Sequence, residues 1–93
     1  MFRYKDGIPL SYNRQGYIYF ASLRYGDMSQ AQRRRIETLC LEAAGGRDNY
    51  ALALLKFVTT KSRAEHLERE YGINRKTLYR YVREYYIRFP KWI

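Results

Sequence analysis

Apolar residues recur at helical spacing through most of the second two-thirds of the chain. Ala31, Ile36, Leu39, Cys40 and Ala43 form one stripe, which ends at Gly45-Gly46. Tyr50, Leu54, Leu55, Phe57 and Val58 form a second, and Leu67 with Tyr71 a short third. Leu78, Tyr81, Val82 and Tyr85 form a fourth, closed by Pro90, which opposes helix beyond Phe89. Start signals precede these stripes. Ser29 with Gln32 and Ser62 with Glu65 have capping-box spacing. Asn49 is placed to cap the second helix, with Asp48 favourable near its positive end. Gly72 is suited to the positive φ that ends a helix, and Asn74 is a good N-cap for the fourth stripe.

Residues 1–27 carry less pattern. Tyr4, Tyr12, Tyr17, Tyr19, Phe20 and Tyr25 are dense, and Asp6-Gly7 and Asn13-Arg14-Gln15-Gly16 read as turns. Gly16 to Ala21 fits either a short strand or a helix start. The chain therefore reads as an all-α, compact domain of four to five helices. Residues 1–27 are a Tyr-rich segment that packs on the domain or forms an interface, and residues 28–93 hold the functional unit. Three roles stay open for the first segment. It extends a small core, it supplies a tyrosine-rich dimer interface, or Arg3, Lys5 and Arg14 form an arm reaching a minor groove.

The segment from Ser62 to Arg83 carries most information about function. Two short helices joined at Gly72, the second rich in arginine, have the sequence form of a helix-turn-helix, whose second helix enters the DNA major groove. On that reading Asn74, Arg75, Lys76, Tyr79 and Arg80 face base edges. Thr60, Lys61, Ser62, Arg63, Thr77 and Arg83 hold phosphates. Arginine suits base reading because its planar fork can bond guanine O6 and N7 together. Between Arg75 and Lys91 only Glu84 opposes Arg75, Lys76, Arg80, Arg83, Arg88 and Lys91, whereas the preceding helix mixes Glu65, Glu68, Arg69 and Glu70. Arg33, Arg34 and Arg35 cannot share one helix face, so they read mainly as a solvated helix start, with phosphate clamping by one of them as the alternative.

Composition narrows the partner. A formal charge of +9 on 93 residues favours a polyanion, nucleic acid above all, although ribosomal or membrane-surface binding fits charge alone equally well. No apolar run is long enough to span a bilayer, and the first residues lack the apolar core of a secretory signal. Cys40 is the only cysteine, which excludes an internal disulfide and fits a reducing cytoplasm. A chain of this size buries only about 60–65% of its unfolded surface, so association would help it.

Catalysis has little to stand on. His66 is the only histidine and sits among charged neighbours, and Cys40 and His66 are too few for a metal site. Eleven tyrosines raise a DNA-cleaving tyrosine nucleophile, but such chemistry needs a larger arginine and histidine constellation. No Gly-rich phosphate loop is present. We expect no enzyme, no cofactor and no metal.

Met28-Ser29 opening a helix, Ala53 to Val58, Ser62-Arg63-Ala64-Glu65 and Glu70-Tyr71-Gly72-Ile73-Asn74 occur in an order that resembles the adhesin-biosynthesis regulators of enterobacterial fimbrial operons, the Pap-type family. Plasmid repressors of the Kor type share a similar arrangement. The resemblance covers about Met28 to Tyr86. It implies a transcription regulator of the bacterial nucleoid that binds AT-rich operon DNA, often as cooperating oligomers. The chain departs from that pattern at Thr59-Thr60-Lys61, where the family has a glycine. Glu68 stands where a helix-turn-helix wants a small residue, so it is either displaced outward or the crossing is wider. The alternative classes are a protein-interaction module, such as a phage packaging or polymerase-associated factor, and an RNA binder whose tyrosines stack unpaired bases.

Overall fold

A computed structural model describes residues 4–91. It contains α1 (Tyr12–Leu23), a 3₁₀ turn (Tyr25–Asp27), α2 (Gln30–Ala43), α3 (Asp48–Thr59), α4 (Ala64–Tyr71) and α5 (Arg75–Arg88), with no strand among the described residues. The fold is thus all-α, as the stripes predict. Its described part spans 32 × 31 × 23 Å.

Helix α3 is the hub. It packs against α1, α2, α4 and α5, and its Ala53 and Leu54 are fully buried. A small residue at position 53 leaves room for neighbouring helices to approach, which a hub requires. From α2, Ile36, Leu39, Cys40 and Ala43 enter the core, whereas Ala31 stays exposed. Leu67 enters from α4, and Leu78, Val82, Tyr85 and Tyr86 from α5.

Several boundaries follow their local signals. Ser29 and Gln32 form the expected reciprocal capping box, with bonds of 3.2 and 3.0 Å. Gly45 and Gly46 take φ of 63° and 80°, and their N–H groups return to Glu42 and Leu41 carbonyls at the end of α2. Helix α5 stops at Arg88, one residue before Phe89-Pro90.

Two cap assignments need correction. The Ser62–Glu65 box does not form, because the Thr60 hydroxyl claims Ser62 first. It lies 2.7 Å from the Ser62 hydroxyl and accepts the Ser62 N–H at 3.2 Å. Helix α4 therefore begins one residue later, with Arg63 at an N-cap that makes no side-chain bond. Asn49 likewise does not cap α3. Arg47 occupies that position without a side-chain cap bond, its guanidinium lying 4.3 Å from the Tyr50 ring centroid. That stack fixes the entry one turn before Tyr50 and places Asn49 inside the helix.

The N-terminal segment is helical at Asn13 to Gly16, where the sequence reads as a turn, and over Gly16 to Ala21 it takes the helical of the two readings, strand or helix start. Ser11 caps α1 through the Arg14 N–H, so Asn13 to Gly16 form its first turns, while the turn at Asp6-Gly7 is present. The inward face of α1 is Gln15, Ile18 and Ser22. The buried Gln15 amide accepts from the Lys5 N–H at 2.9 Å and donates to the carbonyls of Lys5, Ile8 and Leu10 at 3.1 to 3.2 Å. One side chain thereby organises residues 5–10, and Ile8 joins the same buried cluster as Ile18, Ile36 and Tyr85. The Arg14 guanidinium donates to the Phe89 and Pro90 carbonyls, closing the amino-terminal helix onto the end of α5.

Candidate nucleic-acid interface

The link between α4 and α5 is a three-residue turn whose backbone is fully provided for. Gly72 sits in the left-handed region at φ 63°. From Ile73 onward, five successive N–H groups find acceptors. Ile73 donates to the Glu68 carbonyl at 3.3 Å, Asn74 to the Tyr50 hydroxyl at 2.9 Å, and Arg75 to the Glu68 carboxylate at 2.7 Å. Lys76 and Thr77 donate to the Asn74 side-chain oxygen at 2.8 and 3.4 Å. The orphan donors that open every helix are satisfied here by three side chains from three places in the chain. Glu68 explains its own presence: its carboxylate reaches the positive end of α5, where a negative charge is favourable.

Helix α5 divides cleanly by face. Leu78, Val82, Tyr85 and Tyr86 are buried, while Lys76, Tyr79, Arg80, Arg83 and Ile87 are exposed and recur at three- and four-residue spacing. That outward stripe carries no carboxylate. Glu84 lies at its margin, 3.5 Å from Arg83 and 3.3 Å from Arg88.

The residues expected to read bases separate into two groups. Lys76, Tyr79 and Arg80 share the stripe. Asn74 and Arg75 are occupied at the helix start, Asn74 as the cap and Arg75 between Glu65 at 3.3 Å and Glu68 at 3.6 Å. The Tyr79 ring stands edge-on to Phe57 of α3, with centroids 6.1 Å apart, which holds it upright on the exposed face. Arg80 turns toward the flank, its guanidinium carbon 5.6 Å from the Tyr81 ring centroid.

The expected phosphate group is spread more widely. Arg83 belongs to the stripe, and its Nε–H donates to the Gly7 carbonyl at 2.9 Å, which draws the N-terminal segment alongside α5. Lys61 and Arg63 are exposed and Ser62 and Thr77 half-buried, while the Thr60 hydroxyl is bonded to the Lys56 carbonyl and Ser62. A cleft of about 290 Å³ lined by Lys5, Phe57, Tyr79 and Arg83 adjoins a second of about 250 Å³ lined by Lys5, Phe57, Thr60, Lys61 and Ser62. Through these shared walls the outward stripe runs on to the α3–α4 loop.

Of the cations expected to form an N-terminal arm, Arg14 and Lys5 are engaged within the fold. Arg14 is fastened to the C-terminal carbonyls rather than extended as an arm. Lys5 lies 6.0 Å over the Tyr86 ring, with burial lowering the pKa of its ammonium, and Arg3 lies outside the described residues. Arg33 bonds the Gly26 carbonyl, while Arg34 and Arg35 flank Arg88, Thr38 and Glu42 in a groove beside the end of α5.

Two residues near α5 carry no sequence signal for this face. Gly7 contributes its carbonyl to Arg83, and Arg47 stacks on Tyr50 while donating to the Tyr81 hydroxyl at 3.3 Å. Neither belongs to a periodic pattern or a motif. His66 is exposed and pairs with Glu70 at 3.4 Å, and no cluster of His, Cys, Asp or Glu among the described residues suits a metal ion. No helix among the described residues is long and apolar enough to cross a membrane. Comparisons with protein-family models, curated proteins and solved structures return no match to this chain.

Proposed function

We propose that the protein binds duplex DNA through α4 and α5 as a helix-turn-helix and regulates transcription by occupying an operator. The observation that carries this reading is the outward face of α5. Lys76, Tyr79, Arg80 and Arg83 form a stripe without a carboxylate, on a helix whose first turn is fixed by Glu68, Asn74 and Tyr50. A rigid helix that projects donors and one aromatic ring suits the acceptor-rich edges of guanine and thymine in a major groove. Within it, Lys76 and Tyr79 are the base-facing pair, and Lys61 with Arg63 lies where backbone phosphates would flank the helix. The order of motifs that resembles the Pap-type regulators fits an operator of this kind, occupied by a dimer or higher oligomer.

The test is a fluorescence-anisotropy titration against the duplex upstream of the protein's own gene, with scrambled duplex and single strand as competitors. A preference of about a thousandfold for the upstream duplex is expected of an operator-binding protein. Lys76→Ala and Tyr79→Ala should each lose more affinity for that duplex than for the scrambled one. Equal, weak binding to all three nucleic acids would refute the reading. One observation favours a protein partner instead: exposed Leu41 and Leu52 border an apolar groove between α2 and α3. That alternative predicts no discrimination among the nucleic acids.

A further inference from the structure

Of the arginines around α5, three are matched to carboxylates. Arg75 has Glu65 and Glu68, and Arg83 and Arg88 share Glu84. Arg47 and Arg80 are not. Among the described residues neither guanidinium lies within ion-pair distance of an Asp or Glu. The fold nevertheless brings both to the same phenol. Arg47 reaches it from the N-terminus of α3, donating to the Tyr81 hydroxyl at 3.3 Å. Arg80 reaches it from the preceding position of α5, 5.6 Å from the ring centroid. The Tyr81 ring stands edge-on to Tyr50 at 5.3 Å, and Tyr50 carries the Arg47 guanidinium 4.3 Å from its own centroid. The edge-on ring pair thus carries both guanidiniums, Arg47 against Tyr50 and Arg80 against Tyr81.

Both guanidiniums are exposed, so an anion can reach them together with the hydroxyl. Arginine presents several N–H donors in a fixed plane, which matches the oxygens of a phosphodiester. The hydroxyl between them adds a donor of its own. The hydrogen bond from Arg47, helped by the nearby Arg80 charge, holds the Tyr81 phenol below its ordinary pKa, as a locally positive field should.

We propose that Arg47, Arg80 and the Tyr81 hydroxyl form a binding site for one backbone phosphate of duplex DNA, at the flank of α5. This rests on the proposed duplex-binding function and deepens it. Arg47 joins the site although it lies 34 positions from Tyr81 in sequence. Arg80 moves from base reading to backbone contact. The two flanks of α5 are then both basic, with Lys61 and Arg63 on the α4 side and Arg47 on the other.

A phosphate contact is independent of sequence and adds to the salt dependence, whereas a merely structural stack does neither. Affinity of the full chain should be measured for the upstream and the scrambled duplex from about 50 to 200 mM salt. Arg47→Gln should weaken both duplexes by the same factor and lower the slope of log affinity against log salt by about 0.9. The wild type would then lose about 3.5-fold more affinity than the variant across that range. Arg47→Lys, which keeps the charge, should restore most of the slope. Because Arg47→Gln removes a stack on Tyr50, a second measurement uses the wild type alone. The Nε–H resonances of Arg47 and Arg80 should shift together on adding duplex, while that of Arg24, at the C-cap of α1, stays in place. A folded Arg47→Gln protein with an unchanged slope, or unmoved Arg47 and Arg80 resonances in a wild type that does bind duplex, would overturn this site and leave the proposed function standing. A wild type that binds no duplex would overturn both.

Discussion

Replacing Glu68 tests the joint between α4 and α5. Its carboxylate accepts the Arg75 N–H at 2.7 Å and approaches the Arg75 guanidinium at 3.6 Å. A hydrogen bond to a charged group contributes about 1.5–3 kcal/mol, but this side chain keeps 28% of its exposure and water can partly take its place. The charge at the start of α5 adds about 0.3–1 kcal/mol, and the exposed ion pair about 0–1. Together these give about 2 kcal/mol for Glu68→Ala. Glu68→Gln keeps a neutral acceptor of the same shape and should cost about half as much. At about 4–8 °C per kcal/mol for a domain of this size, the melting temperature should fall by about 8–16 °C and 4–8 °C respectively. Circular-dichroism melts read both, and Glu65→Ala is the internal control. It removes only the exposed 3.3 Å pair to Arg75 and should cost less than about 1 kcal/mol. If all three variants melted with the wild type, the Arg75 N–H would be satisfied as well by water, and the carboxylate would not hold the joint.

Gly72→Ala should destabilise by about 1 kcal/mol, because φ is 63° there although nothing crowds the added methyl. Gly72→Asn should cost less, and equal urea midpoints for both variants and the wild type would contradict this. Ser22 gives its only proton to the Ile18 carbonyl, so Tyr85 must be the donor in the 2.7 Å bond between them, and Tyr85→Phe should cost about 1 kcal/mol in a urea titration. Burial pushes the Tyr85 and Tyr86 phenols above their ordinary 10.0, so the folded chain keeps protons that the unfolded chain releases. Stability should therefore fall as pH rises past about 10, less steeply in Tyr85→Phe, and a flat profile would refute the linkage. Burial also pushes the Cys40 thiol up to about 12, so a thiol reagent at pH 8 should label it only on unfolding. Rapid labelling of the native protein would contradict that burial.

The helices that were legible in the sequence are those whose inward faces are apolar. Ile36, Leu39, Cys40 and Ala43 announce α2, and Leu78, Val82 and Tyr85 announce α5, because burial acts directly on the residues that carry the period. Helix α1 was illegible for the complementary reason. Two of its three buried residues, Gln15 and Ser22, are polar and satisfied by bonds to residues 5–10 and to Ile18 and Tyr85. No hydropathy pattern records that. Capping followed local chemistry where one acceptor was on offer, as at Ser29 and Asn74. It departed from it where Thr60 competed for Ser62 and where Arg47 stacked on Tyr50. The shared face of Lys76, Tyr79, Arg80 and Arg83 follows from helical spacing alone. The capture of Arg75 by Glu65 and Glu68 depends on how α4 meets α5.

The positive charge of the chain is accordingly divided between two kinds of work. Arg14, Arg75, Arg83 and Arg88 are drawn into joints, bonding carbonyls at the chain's ends or carboxylates at helix margins. Each of those bonds ties together segments distant in sequence or stiffens a helix terminus, which matters in a small domain with limited apolar surface to bury. Lys76 and Arg80 stand on a face of α5 from which carboxylates are missing, and Arg47 lies at the adjacent corner. Glu65 and Glu68 lie on the neighbouring helix, where they brace α5 without standing on the surface proposed to meet the duplex.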